Sequence, residues 1–382
     1  MIQFKVSAPG KVILFGEHAV VYGKTAVAGS LDLRTSLDFA ELPEVEQTVN
    51  ICFPHVNLIM IVPLQQIHNF LLANRDTQFI ENYEMFYSKV KEFVCMFNCG
   101  NLQQKLSLEA FFYLLFYITL KEGINVRPFR IQLTTELALG AGLGSSGSFA
   151  VCLAACFLHW SHLQKNISKM FDLSNLENIS KYALNCERTM HGSPSGIDNA
   201  VCTYGSIIEF KKGEYMKPMN NIHPMKILLV DTRVSRSTKA ILDKLLELKN
   251  RYPVIIDIIM DAIDNISNEA IKNIQKLKNT LRVIDGSFSE EYKQLMTLIN
   301  MNQGLLATCQ VSHPSLDSIC AEAQSYGLAG KLTGAGGGGH AFILLLPETQ
   351  PETISSLSRK LIADGFTVKL TFLGGSGVQV HP

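Results

Sequence analysis

The segment GAGLGSSGS, Gly140 to Ser148, lies between a stretch that alternates like a strand and one that reads as a helix. Glycines let a backbone close around an anion. A helix N-terminus adds N–H groups and the positive end of a dipole. Phosphate is the natural guest, and the hydroxyls of Ser145 and Ser146 can reach phosphate or a magnesium ion. Three readings compete. Gly142 to Gly147 fits G-x-G-x-x-G, but a dinucleotide fold also needs a second strand ending in an acidic residue about 20 positions on. WSHLQK, from Trp160, supplies neither. A Walker A loop ends in Gly-Lys-Ser/Thr, and this loop holds no lysine. The third reading is a plain glycine-rich turn that lets a helix pack closely.

A second chemical segment is ERTMHGSPSGIDN, Glu187 to Asn199. Its turn formers, Gly192 to Gly196, predict that Asp198 stands on a rigid loop after a helix. Two carboxylates on either side of a turn can divide labour. One can ligate magnesium while the other takes a proton from a hydroxyl nucleophile. The plain alternative is a helix end followed by a capping Asp. Near the start, SAPGKVILFGEHAV places Lys11, Glu17 and His18 among apolar residues. A lone Lys at a strand start is ordinarily a solvated edge residue, and a lone His a hydrogen-bonded structural one. KLTGAGGGGH, Lys331 to His340, sets four consecutive glycines before an apolar strand. Glycine costs about 0.5–1 kcal/mol relative to alanine in a regular element. The run therefore points to close backbone approach, to a ligand or to a partner loop.

The elements that must position these groups follow from periodicity. Residues 3–6 and 11–15 read as short strands broken at Ala8, Pro9 and Gly10. Residues 25–39 and 130–137 alternate as strands. Residues 80–97, 105–121, 146–163 and about 174–190 read as helices, the second with an apolar face broad enough to be buried. Residues 206–210 are strand-like, and KILLVD at 226–231 is an apolar strand. Long amphipathic helices fill 236–310. Residues 330–333 and 340–346 flank the glycine run, 353–364 form a helix and 366–380 a pair of strands. The class is α+β, with two domains, 1–224 and 225–382.

The chain has 382 residues, of which 47% are apolar and 18% charged, which excludes bulk disorder. Thirty-four basic residues balance thirty-four acidic ones. No general basic field exists to hold nucleic acid or an anionic membrane, so an anionic ligand needs a local site. The longest strongly apolar stretches, 110–120 and 149–160, fall short of the roughly 18–20 residues of a membrane span. The N-terminus lacks a signal-peptide pattern and the C-terminus a prenylation, retention or peroxisomal tripeptide. Nine cysteines without a ligand cluster read as reduced, mostly buried thiols. The expected location is the cytoplasm, or the peroxisome by another import route.

Taken together, PGKVILFGEHAVV from Pro9, GAGLGSSGS from Gly140 and KLTGAGGGGH from Lys331 resemble the three ordered motifs of the GHMP kinases. ERTMHGSPSGIDNAV from Glu187, GEHAVVYG and MNQGLLATCQVSHPSLD narrow the resemblance to the mevalonate-phosphorylating branch of animal type. The likeness runs from about Lys5 to the C-terminus and is weak over 41–105. It implies a two-domain GHMP kinase fold with an active-site cleft between the domains, and ATP and Mg²⁺ as cofactors. Asp198 would be the base for the primary hydroxyl of mevalonate, and Lys11 would stabilise alkoxide and phosphoryl charge. Ser146 and Glu187 would ligate Mg²⁺. Gly140, Ala141, Gly142, Leu143, Gly144, Ser145 and Ser146 would wrap the triphosphate, with Lys11, His55 and Thr135 on the nucleotide. Lys11, Glu17, His18, Asp198, Thr238, Gly334 and Ala335 would hold mevalonate. Arg233 or Arg236 is a candidate for its carboxylate. The resemblance also implies a homodimer and inhibition by prenyl diphosphates. The chain departs from the pattern at Phe15 (usually His), at His55 (Asn), and at Ala138 and Leu139 (a Pro pair).

Overall fold

The alternation over 25–39 becomes one long strand, β2 (Thr25–Glu41), preceded by β1 (Gln3–Phe15). Here the structure corrects the expected pair of short strands, because β1 is continuous. Its register against β2 shifts from Pro9 opposite Arg34 to Gly10 opposite Leu31. That bulge absorbs a proline, which has no N–H to give to a ladder.

The computed structural model describes residues 1–76, 80–138, 140–167, 170–191, 194–214, 216–219, 221–235, 237–277 and 289–381. After β2 come β3 (Thr48–Phe53), β4 (Leu58–Pro63), α1 (Leu64–Ala73), α2 (Tyr83–Val94), α3 (Leu102–Glu122) and β5 (Phe129–Thr135). Next are α4 (Ser145–Gln164), α5 (Leu173–His191), α6 (Ile197–Tyr204), β6 (Ile207–Lys211), β7 (Lys217–Met219) and β8 (Met225–Asp231). The C-terminal part holds α7 (Thr238–Arg251), α8 (Pro253–Lys276), α9 (Ser289–Thr308), α10 (Pro314–Ser325), β9 (Ala329–Leu332) and β10 (His340–Leu344). It closes with α11 (Pro351–Ala363), β11 (Thr367–Leu373) and β12 (Gln379–His381).

The strands join in one sheet with the order β4-β3-β5-β2-β11-β8-β10-β9, and β1, β6, β7 and β12 branch from it. The length of β2 explains the branching. Its first residues pair with β6, its last with β5, and Leu31 between them faces Leu373 of β11. Only β3 and β5 run parallel among the described pairs.

Helices α3 and α4 are apolar around most of their circumference and bury residues on every side. Such helices must be covered all round. Helix α4 packs on β1 and β2 with α3, α5 and α6 around it. The largest core fills this N-terminal part, and a small one packs α6 against β1, β2 and β6. A third joins β1 and β2 to β8, β10, α8 and α9, and a fourth lies between β8 to β10 and α7 to α11. The buried Glu41 carboxylate is satisfied by Trp160 Nε1 at 2.9 Å and by the Ile2 amide at 3.0 Å. Among the described residues, no helix is long and apolar enough to cross a membrane.

Candidate active site

Lys11 lies within β1, 8% exposed, and not at a solvated edge. The glycine loop holds it there. The Lys11 amide donates to the Leu143 carbonyl at 2.8 Å. A Cβ on Gly144 would stand 2.6 Å from Lys11 Cγ, and one on Gly10 would stand 2.9 Å from the Leu143 oxygen. Gly140, Gly142 and Gly144 all take positive φ, which side chains resist. Gly144 is the N-cap of α4 and supplies no side-chain cap, so the positive end of that helix faces the loop. Leu139 lies outside the described residues.

The structure places Asp198 on a helix, which corrects the expected loop. Gly196 in the left-handed region starts α6, and Asp198 falls in its first turn. An acidic residue there is favoured by the helix dipole. Asp198 Oδ1 stands 3.0 Å from Lys11 Nζ. The Asp198 side chain keeps 28% of its surface open, the Lys11 side chain 10%.

Glu187 comes from the last turn of α5 and is buried, with 2% exposure. Ser146 Oγ donates to its Oε1 at 3.4 Å. Burial first, and then the neighbouring Asp198 charge, push the Glu187 carboxyl up to about 8, although Lys11, Ser146 and Asn199 pull the other way. A buried carboxyl of this kind is poised to exchange its proton for a cation.

Gly147 explains how the groups come so close. A Cβ there would meet Asp198 Cβ at 3.0 Å and Glu187 Oε1 at 3.1 Å. Gly147→Ala should therefore push the two acids apart by a few tenths of an ångström. We expect kcat to fall about tenfold, since misplacements of about 1 Å cost about a hundredfold. Stability should hold or rise, because alanine is favoured over glycine in a helix by about 1 kcal/mol. Steady-state kinetics beside a melting curve separate the two effects.

Ser145 and Ser146 also line a cavity of about 170 Å³ between the glycine loop and the Pro54–Val56 turn. Phe53, Leu106, Leu133 and Phe149 give it apolar walls. His55 and Thr135 reach it, as does Gln103, which sequence reasoning missed. The Thr135 hydroxyl is shared with Thr35 at 2.9 Å and accepts the Leu137 amide at 3.1 Å. Apolar walls beside a phosphate-type loop suit a nucleoside.

Beyond the end of β1, His18 sits at φ 61° with its Nε2 2.9 Å from the Ala335 carbonyl. Glu17 turns inward. It pairs with the fully buried Lys331, and its second oxygen accepts from Asn302 Nδ2 at 3.1 Å. Lys331 also donates to the Leu332 carbonyl at 2.7 Å. Burial pushes the Lys331 ammonium below its ordinary value, and Glu17 opposes that shift. The partnership of Lys331 and Asn302 with Glu17 escaped the sequence. A lysine inside an apolar strand was the available signal.

The glycine run approaches protein. Cβ atoms on Gly336, Gly337 and Gly338 would strike the Val311 carbonyl, Ile241 and Val234. Gly334 and Ala335, at the head of the run, are partly exposed, and Thr238 is exposed at the start of α7. Arg233 Nε donates to Thr367 on β11 at 3.0 Å, and Arg236 lies outside the described residues. Ser193, in the acid-bearing segment, also lies outside them.

A glycine loop, a lysine–aspartate pair and a buried glutamate at one helix end make a candidate phosphotransferase site. Comparison with known proteins gives the class of the chain. The GHMP kinases N terminal domain model matches residues 110–206, and the GHMP kinases C terminal model matches 284–362. The chain superposes on a crystal structure of mevalonate kinase with a TM-score of 0.67 and 23% identity, covering 97% of this chain and 99% of that one. A crystal structure of L. major mevalonate kinase in complex with R-mevalonate gives 0.68 and 21%, covering 98% and 96%. These establish the GHMP kinase fold. Sequence identity goes further. The chain is 34% identical to mevalonate kinase of Mus musculus and 36% identical to that of Bos taurus, covering 98% of this chain and 94% of each relative. With that of Arabidopsis thaliana it shares 33%, covering 99% and 100%. The chain belongs to the mevalonate kinase family. It is an ATP-dependent kinase of the mevalonate, or isoprenoid, pathway.

Proposed function

We propose that this chain transfers the γ-phosphoryl group of ATP to the primary hydroxyl of (R)-mevalonate, giving 5-phosphomevalonate and ADP. The observation that carries the reading is Lys11 Nζ at 3.0 Å from Asp198 Oδ1, beside a glycine loop whose Leu143 and Gly144 grip the Lys11 stem. Asp198 accepts the hydroxyl proton as the oxygen attacks phosphorus and the bond to ADP breaks. Lys11 stabilises the alkoxide and the charge on the transferred group. Phosphoryl transfer through a loose transition state asks chiefly for positioning and charge neutralisation.

Mg²⁺ fits the residues present. It is commonly held by one or two protein ligands together with phosphates. Ser146 and Glu187 would hold it, and the raised affinity of Glu187 for a proton supports a cation there. When bound, the ion supplies charge neutralisation on the β- and γ-phosphates. Gly140 to Ser146 cradle the triphosphate, while His55 and Thr135 border the nucleoside. His18, Thr238, Gly334 and Ala335 hold mevalonate, with Glu17 fixing the turn that bears His18. In this reading the halves 1–224 and 225–382 are two domains meeting at the site. A homodimer, and prenyl diphosphates competing with ATP for the loop, belong to the same proposal.

The test is coupled ADP release with Mg-ATP and mevalonate, phosphomevalonate, galactose or homoserine. Turnover with mevalonate alone is the expected result. Turnover with another acceptor, and none with mevalonate, would keep the phosphate loop and overturn the acceptor assignment.

A further inference from the structure

Glu187 belongs to the last turn of α5, a place where backbone carbonyls lose their helical partners. One of those carbonyls, at Thr189, is answered from another helix. Tyr87 Oη, from α2, lies 3.0 Å from the Thr189 oxygen. The same hydroxyl lies 2.6 Å from Oε2 of Glu109 on α3. Tyr87, Glu109 and Thr189 are all buried. The Thr189 hydroxyl closes the turn again, donating to the Cys186 carbonyl at 2.6 Å. A junction of three helices thus fastens the residues on both sides of Glu187.

A buried carboxylate is an expensive way to fill a helix junction. Apolar residues of similar volume pack without the desolvation cost. What the polar contact adds is direction. The single proton of the Tyr87 hydroxyl lies between the Glu109 carboxylate at 2.6 Å and the Thr189 carbonyl at 3.0 Å, a three-centre contact that favours one orientation of the α5 end. That orientation decides where the Glu187 carboxylate points, into space left open because Gly147 carries no Cβ, which would stand 3.1 Å from Glu187 Oε1.

We propose that Tyr87, held by Glu109, is a positioning residue that caps the end of α5 and aims Glu187 at the metal site. The inference rests on the reading of Glu187 as a magnesium ligand. Partners that orient a metal ligand typically contribute about 10–100-fold to metal affinity.

The test reads metal coupling directly, without turnover. The Kd of a non-hydrolysable ATP analogue is measured by calorimetry in EDTA and in Mg²⁺, and their ratio reports how well the protein uses the ion. Tyr87→Phe should leave the Kd in EDTA unchanged and lower the ratio about tenfold. Glu187→Gln should lower it further. The double variant Tyr87→Phe, Glu109→Leu removes the stranded carboxylate and should regain thermal stability, while the ratio stays low because the Thr189 carbonyl is still uncapped. A low ratio in Glu187→Gln with a native ratio in Tyr87→Phe would overturn the positioning role alone. Recovery of both stability and ratio in the double variant would reduce Tyr87 to packing and also overturn it. A native ratio in Glu187→Gln would remove the metal-ligand reading and the inference with it.

Discussion

Asp198→Asn is expected to lower kcat with mevalonate by about 10²–10⁴-fold, the range for losing a positioned base. The affinity for ATP should change by about twofold or less. The asymmetry follows from geometry. Asp198 touches Lys11 and keeps 28% of its side-chain surface exposed, whereas the cavity beside the glycine loop is lined by other residues. Asparagine keeps the shape at Gly147, so the helix contact survives. It removes the proton acceptor and leaves Lys11 without its anionic partner. Lys11→Met should cost both kcat and nucleotide affinity, because that ammonium serves hydroxyl and phosphate together. The double variant should be little worse than the poorer single one, since groups that act as a unit lose their effect together. Equal losses of ATP affinity and kcat in Asp198→Asn would contradict the base assignment. Additive losses in the double variant would contradict the joint role.

The site was legible where chemistry depends on local sequence. The loop at Gly140 to Ser146 is read from its own residues, because positive φ and a helix start are local properties. Glu187 and Asp198 were picked out as a pair on the same ground. The backbone under Asp198 was misjudged, since Gly196 serves as a helix start and not only as a turn residue. β1 was misjudged at Pro9 for a different reason. Whether a proline breaks a strand depends on the partner strand, and β2 supplies a bulge that no feature of 3–15 announces. Contacts remote in sequence were out of reach. Nothing near Glu17 reveals Lys331, and nothing near Gly336 to Gly338 reveals Val311, Ile241 and Val234. Glycine reports that something comes close, and only the fold says what. The positioning of Glu187 by Tyr87 has the same character, joining three helices through one hydroxyl.

Glu187→Gln should separate catalysis from stability in opposite directions. The folded protein holds the Glu187 proton up to about pH 8, against an ordinary value of 4.5. Between those two values the folded chain binds a proton that the unfolded chain has released. Stability from this group must therefore fall as pH rises through that window. Glutamine resembles the protonated acid and does not titrate. At pH 5 the ligand-free variant should melt close to the native protein. By pH 8.5 it should melt several degrees higher, because the native chain then carries a buried Glu187 carboxylate beside Asp198, with one lysine between them. Mg²⁺ with a non-hydrolysable ATP analogue should reverse the order, because the ion takes the place of the proton in the native chain and finds no anionic ligand in the variant. Turnover of the variant at saturating nucleotide should fall by about 10²–10³-fold, the cost of removing one electrostatic anchor of the transition state. Melting curves at both pH values, with and without the ion and analogue, check each part. A difference between the two proteins that does not grow with pH would show that Glu187 is ionised throughout. It would also remove the argument that this buried acid waits for a cation.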